Sequence, residues 1–355
     1  MRILVTGATG FVGEHLVRLL LSRDHDVFGT YLSVPANWEF AAELVWCDVR
    51  DASSVRKIVA DIHPHQVYHL AAQSSPSQSL EQTRDVYGSN FWGTYNLLES
   101  VRQVAPKARI LVVGSGQCYG EVRNRRPLTE SAVLSPRNPY ALSKAAADML
   151  AGQYYYRFGS HIIRGRPFNH TGPGQPTGFV CSDYARRIVD IDVGNERPVL
   201  RVRDAGVRRD FSDVRDVVRA YELLIEKGKP GEAYNIASGR SMTVREIVSI
   251  LVSFCSRRVQ ISAEHQEVGA GDIANLYGSR LKLSRTTGWK PRYNMRQTLR
   301  DLFEYWKQLS NKGACNGHTE IVPDAQSEPG FGARTGNREA GNVRRLERVP
   351  QRRGN

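Results

Sequence analysis

A chain of 355 residues with 41% hydrophobic content is long enough for one large core or a core with a smaller lobe, and no run of about 18 apolar residues offers a bilayer span. The formal charge of +13 rests mostly on dispersed arginines rather than a basic stripe interleaved with aromatics, which argues against nucleic acid as a partner. Cys47, Cys118, Cys181, Cys255 and Cys315 are scattered, with no CxxC and no ligand spacing, so they read as thiols rather than staples or metal ligands; no metal is expected.

Met1 runs straight into a first strand, Arg2-Ile3-Leu4-Val5, which leaves no room for a signal peptide and gives a cytoplasmic expectation. The strand enters Thr6-Gly7-Ala8-Thr9-Gly10-Phe11-Val12-Gly13 and then a helical pattern at Leu16, Leu19 and Leu20. Strand, Gly-rich turn and helix in that order form a dinucleotide site: Gly7 for the tight turn, Gly10 for close approach of a pyrophosphate, Gly13 for packing of helix on strand. Strands follow at 25–31 and 43–48, a helix at 53–61, a strand at 66–71, a helix at 90–104, a strand at 108–113 and a long helix at 140–158. Strands alternating with helices predict a Rossmann-type, doubly wound parallel α/β sheet over residues 1–165.

The strand ending at Val113 opens into Gly114-Ser115-Gly116-Gln117-Cys118-Tyr119-Gly120, which places Ser115 at the carboxyl edge of the sheet, where ligands bind. Tyr140 and Lys144 lie four residues apart and share a helix face. An ammonium beside a phenol favours the phenolate, so the pair is read as a proton-handling device with a lowered tyrosine pKa. Ser115 would hydrogen-bond a substrate oxygen, Tyr140 would give or take its proton, and hydride would pass between that carbon and a nicotinamide whose ribose Lys144 holds. His69 reads as a satisfied core histidine.

Beyond Arg166 the alternation loosens into a Gly, Pro and Asn cluster, helices at 180–193 and 214–227 and polar segments, read as a smaller substrate-binding lobe over 166–312 with some segments returning to the first core. From Arg334 to Arg353 there are seven arginines and two glutamates among Gly, Asn and Pro, and residues 313–355 are expected to form a basic disordered tail.

Thr6 to Gly13, Asp48, His69-Leu-Ala-Ala, Asn90, Ser115, Tyr140 and Lys144 together resemble the extended short-chain dehydrogenase/reductase superfamily. Arg166-Pro-Phe-Asn-His-Thr-Gly-Pro-Gly-Gln, Gly178-Phe-Val, Arg209-Asp-Phe-Ser-Asp-Val-Arg-Asp and Tyr234-Asn-Ile-Ala-Ser-Gly are similar to its nucleotide-sugar branch of GDP-4-keto-6-deoxymannose reductases and GDP-mannose 4,6-dehydratases. The resemblance implies a cofactor site of Gly7, Gly10, Phe11, Val12, Gly13, Asp48, Val49, Leu70, Ala71, Ala72, Asn90, Tyr140 and Lys144. It implies substrate contacts at Gln117, Asn169, Val180 and Arg209, Arg209 on the pyrophosphate, and a homodimer joined by a four-helix bundle, for which Trp92, Leu97, Leu98 and the helix 145–154 offer apolar faces that could equally turn to the monomer's own core.

Dehydratases of the branch carry a glutamate two residues after this serine or threonine, the acid/base that eliminates water; here the position holds Gln117. An amide exchanges no proton at a useful pKa, so elimination loses its base while hydride transfer loses nothing. The expected activity is therefore NAD(P)H-dependent reduction at C4 of a GDP-4-keto-6-deoxyhexose, with GDP-rhamnose the product the branch implies. A 4-epimerase, which needs the same Ser, Tyr and Lys, the dehydratase itself and a non-catalytic nucleotide-binding regulator are the alternatives.

Two positions depart from the branch. Gly269-Ala270 replaces an Arg-Pro pair that clamps the pyrophosphate, a loss for which Arg280 or Lys282 could compensate. After the second strand, Tyr31-Leu32-Ser33 supplies neither an acid for the ribose 2′-OH nor an arginine for a 2′-phosphate, and the missing acid favours NADP, with NAD possible.

Overall fold

Apolar residues on both sides of β1 (Arg2–Thr6) make it the middle of the molecule: Ile3 and Val5 enter one core and Leu4 the other. In this computed structural model the described residues are 1–33, 38–74, 79–120, 126–264 and 273–315, and they lie in a single compact unit, Met1–Cys315. The Gly269-Ala270 departure and residues 316–355 of the expected tail fall outside them.

The chain continues through α1 (Phe11–Leu21), β2 (Asp26–Tyr31), β3 (Glu43–Trp46), α2 (Ala52–Ile62), β4 (Gln66–His69), α3 (Thr83–Tyr87), α4 (Gly93–Val104) and β5 (Arg109–Val113). It goes on through α5 (Pro139–Phe158), β6 (Ile162–Pro167), β7 (Asn169–Thr171), α6 (Val180–Asp192), β8 (Val199–Arg203), β9 (Arg208–Asp213), α7 (Val214–Lys227) and β10 (Ala233–Ile236). The remainder is β11 (Ser241–Thr243), α8 (Val244–Val252), β12 (Gln260–Glu264), β13 (Asn275–Leu276), α9 (Leu281–Thr287) and α10 (Met295–Cys315). Helix α10 thus enters the stretch expected to be tail.

Seven parallel strands form the main sheet in the order β10-β6-β5-β4-β1-β2-β3. From β1 the chain moves outward to β3 and then crosses to β4 on the other side. The carboxyl ends of β1 and β4 therefore flank the switch point where doubly wound sheets bind ligands. One face is covered by α1 and α7 through Leu16, Val17, Leu20, Val217, Tyr221 and Leu224, the other by α2, α4 and α5 through Val55, Val59, Leu97, Leu98, Val101 and Ala151. Strand β10 belongs to this sheet although it arises late in the chain, because Tyr234 and Ile236 pair with β6 and fill its core.

The smaller lobe is built on β9, which pairs with β7, β11 and β13, and on the two-stranded β8–β12 ribbon, with a separate apolar core among α6, α8 and α10. The helix predicted from Asn90 begins instead as a π-helical turn, Gly88–Trp92, before α4 takes over. Apolar periodicity does not register a turn widened by one residue. Of the two readings open for them, Leu97 and Leu98 take the second and are buried in the monomer's own core, whereas Trp92 on the π turn, Tyr95 on α4, and Leu142 and Met149 on α5 are exposed.

Candidate active site

The turn after β1 is shaped by contacts that no side chain could share. Gly7 has φ +70°, and a Cβ there would come within 2.9 Å of the Ala71 backbone on the loop after β4. A Cβ on Gly13 would lie 2.3 Å from the Gly7 carbonyl oxygen, so α1 packs on the turn itself. Gly10 is the N-cap of α1 and supplies no capping side chain; a Cβ there would meet only the Gly7 carbonyl, at 3.4 Å. The first-turn amides of α1 thus open onto an accessible backbone, the arrangement that takes a phosphate. Phe11 stacks on His170 with ring centroids 6.3 Å apart, and Val12 packs into the core.

Beside this turn, His69 is bonded at both nitrogens, Nδ1 to Thr6 Oγ1 at 2.8 Å and Nε2 to Thr94 Oγ1 at 3.0 Å, and burial lowers its pKa to about 3. It is a core histidine. Thr6 Oγ1 also accepts the Ala71 amide at 3.2 Å, which ties Leu70-Ala71-Ala72 to the Gly-rich turn. Asp48 follows β3 and takes Arg50 through Nε at 3.0 Å and Nη2 at 2.7 Å, bonds that hold its carboxyl below the usual range. The cap of α2 is Asp51, while Asp48 Oδ1 accepts the Arg50 amide at 2.9 Å in the turn before it, and Asp48 and the buried Val49 lie at the carboxyl edge of the sheet.

The proton-handling groups meet where β5 ends. Ser115 caps the 3-10 turn Gly116–Tyr119, its Oγ accepting the Gln117 amide at 3.1 Å, and its hydroxyl is near enough to the Tyr140 phenol to draw that group's pKa down. Helix α5 begins sharply because Asn138 caps it, accepting the Ala141 amide at 2.7 Å, and Pro139 fills its first position. That start sets Tyr140 and Lys144 on the face turned to Ser115, both almost fully buried. Lys144 Nζ donates to the Val113 carbonyl at 2.7 Å, under the strand end that delivers Ser115. Asn90 is held inward by the π turn, Oδ1 accepting the Gln73 amide at 2.9 Å and Nδ2 donating to Ser143 Oγ at 2.9 Å. Gln117 Oε1 lies 3.5 Å from Asn138 Nδ2.

The expected lowering of the tyrosine pKa is not what this geometry gives. Burial pushes the Tyr140 phenol up to about 12, against the pull of the nearby Ser115 hydroxyl, and burial lowers Lys144 to about 8. Sequence spacing shows that two groups share a face but not how much water they lose. Tyr140 is consequently a protonated phenol at neutral pH, a form suited to donation.

In the smaller lobe Asn169 opens β7 and Val180 begins α6, exposed on a cleft of about 580 Å³ that is also lined by Tyr184, Arg187, Arg201 and Arg203. Arg209 lies on β9, its Nη1 donating to the carbonyls of Arg208 at 2.9 Å and Ile273 at 2.6 Å. Lys282 pairs with Glu232 at 2.6 Å and the Ala233 carbonyl at 2.7 Å, and Arg280 donates to the Ser238 carbonyl at 2.9 Å. Sequence reasoning missed Asn138 and Ser143, although an Asn-Pro pair just ahead of the predicted helix was a cap signal. Among the described residues there is no cluster of His, Cys, Asp and Glu suited to a metal, and no helix is long and apolar enough to cross a membrane.

Residues 4–302 match the family model described as GDP-mannose 4,6 dehydratase. The chain belongs to that family. Within the family's wider neighbourhood it is 33% identical over 307 residues to GDP-6-deoxy-D-mannose reductase from Pseudomonas aeruginosa, covering 86% of this chain and 97% of that protein. A solved structure of RMD from Pseudomonas aeruginosa complexed with NADPH superposes with a TM-score of 0.76 at 32% identity, covering 87% of this chain and 99% of that one. The Thermus thermophilus UDP-glucose 4-epimerase complex with NAD gives 0.77 at 28% identity, covering 86% and 99%.

Proposed function

We propose that the protein is an NADPH-dependent 4-ketoreductase of a GDP-4-keto-6-deoxyhexose, with NADH the lesser cofactor and GDP-rhamnose the expected product. The observation that carries the reading is Gln117: its amide is bonded to Ser115 Oγ and its side chain lies by Asn138, the cap of the helix that carries Tyr140, where elimination of water would require a carboxylate. The similarity to a GDP-6-deoxy-D-mannose reductase over 97% of that protein's length supports it.

In this reading the open N-terminus of α1, with Gly7, Gly10, Phe11, Val12 and Gly13, receives the cofactor pyrophosphate, and Asp48 and Val49 border the adenine. Leu70, Ala71, Ala72 and Asn90 line the path to the reacting end. The reduced nicotinamide, when bound, supplies the hydride. Ser115 donates a hydrogen bond to the C4 ketone oxygen, and Tyr140 delivers its phenolic proton to that oxygen as it becomes an alkoxide. The Lys144 ammonium keeps one donor on the Val113 carbonyl and has two others for the cofactor ribose, and its charge stabilises the phenolate left behind. Solvent then returns a proton to Tyr140. Asn169, Val180 and Arg209 are assigned to the nucleotide-sugar diphosphate, with a guanidinium suited to its oxygens. Exposed Trp92, Tyr95, Leu142 and Met149 form the face through which two copies would pair as a cytoplasmic homodimer.

Purified protein incubated with GDP-4-keto-6-deoxymannose and either cofactor tests the reading: loss of NADPH absorbance with a GDP-6-deoxyhexose product is expected. A 4-epimerase is the second reading, because Ser115, Tyr140 and Lys144 would serve it equally and Gln117 does not impede it. Interconversion of C4 epimers without net cofactor consumption would establish that activity instead.

A further inference from the structure

One turn beyond Lys144 lies a buried charge that the proton chemistry does not use. Asp148, on α5 and 1% exposed, receives Arg166 as a fork, Nε to Oδ1 at 3.0 Å and Nη2 to Oδ2 at 2.7 Å, and takes Arg164 Nη1 on Oδ2 at 3.0 Å. The remaining nitrogen of Arg166, Nη1, reaches the other way and donates to the Tyr119 hydroxyl at 2.8 Å and the Glu130 carbonyl at 3.3 Å. Tyr119 closes the turn that Ser115 opens, and its hydroxyl donates to Asn235 Oδ1 on β10 at 2.7 Å. A single buried guanidinium therefore bridges the helix that carries Tyr140 and Lys144 to the turn that carries Ser115.

The packing around it leaves little freedom. A Cβ on Gly114 would lie 3.7 Å from Asp148 Oδ1 and 3.8 Å from Arg166 Cγ, which sets the ion pair against the residue just before Ser115. Phe168 stacks on Tyr119 with centroids 6.2 Å apart and also closes over Gly116, where a Cβ would come within 2.8 Å of its ring. Ion pairs this deep gain little net stability, because desolvation cancels most of the attraction and apolar residues would fill the space as well. What a planar fork supplies instead is a fixed angle between the elements it joins.

We propose that Tyr119, Arg166 and Asp148 are positioning residues that hold the Ser115 hydroxyl against the Tyr140 phenol by locking the turn after β5 to helix α5. None of the three touches the reacting atoms; they act through Ser115. The kinetic consequence rests on the ketoreductase reading above, whereas the mechanical link does not.

The test is a double-mutant cycle on the full chain with NADPH and GDP-4-keto-6-deoxymannose. Tyr119→Phe removes one oxygen and keeps the ring that Phe168 and Arg166 cover. It should lower kcat about tenfold with KM for NADPH unchanged. The Ser115→Ala/Tyr119→Phe double variant should be no slower than Ser115→Ala alone, because the link has nothing left to position. Unchanged kcat in Tyr119→Phe, or losses that multiply in the double variant, would overturn the proposal. Hydrogen exchange across residues 114–120 supplies a readout without turnover, since the Gln117 amide is bonded to Ser115 Oγ. Should the wild-type protein not reduce the sugar, the ketoreductase reading fails and exchange alone decides the link: faster exchange in Tyr119→Phe upholds it and equal exchange overturns it.

Discussion

Burial keeps the Tyr140 phenol protonated at neutral pH, and the Ser115 hydroxyl opposes that shift while aiming the group. Tyr140→Phe should therefore lower kcat by about 10³-fold, the worth of a positioned general acid, while NADPH binding followed by fluorescence quenching stays within about twofold. Full activity in that variant would remove Tyr140 from the chemistry. Gln117→Glu is the companion change: it restores a carboxylate beside the Ser115 turn and is expected to introduce slow release of water from GDP-mannose, detected as a 4-keto-6-deoxy product. His69 bears on stability rather than turnover. It stays neutral in the fold down to about pH 3, whereas its unfolded counterpart protonates near 6.5, so the unfolded state binds the extra proton and stability falls as pH falls through that window. Urea unfolding should show this as about 1.4 kcal/mol lost per pH unit between those values. A His69→Gln variant should lose that part of the slope; equal slopes would contradict the assignment.

Among the elements, those fixed by short-range chemistry were legible before the structure. The Gly-rich turn and α1 could be read because each glycine answers a local demand, and the shared face of Tyr140 and Lys144 because a four-residue spacing on a helix dictates it. What escaped depends on partners distant in sequence. The π turn at Gly88–Trp92 places Asn90 against Gln73 and Ser143, partners that no local pattern around it names. Leu97 and Leu98 face inward because α2 packs on α4, which their spacing along the helix does not reveal. No local pattern marks Asp148 as buried, because the arginines that pair with it come from β6. The pKa of Tyr140 escaped for the same reason, since desolvation is a tertiary property. Gly13→Ala tests the tightest local element: its methyl would meet the Gly7 and Ala8 carbonyl oxygens at 2.3 and 2.5 Å. Displacing the turn in this way should weaken NADPH binding at least tenfold, read by titration, with the circular dichroism of the fold retained.

Across the full fold, a seven-stranded parallel sheet brings the carboxyl ends of β1, β4 and β5 side by side, and the smaller lobe adds a cleft that begins at Val180. In the proposed reading this assembly moves hydride to C4 of a GDP-linked keto-sugar, and Tyr140 supplies the proton. Deuteride-labelled NADPH, incubated with GDP-4-keto-6-deoxymannose and followed by mass spectrometry and proton NMR of the sugar, puts that transfer to the test. One deuterium at C4 of a GDP-6-deoxyhexose, with equimolar NADP⁺ formed, is the predicted result. A sugar product carrying no deuterium, formed without loss of NADPH, would contradict it.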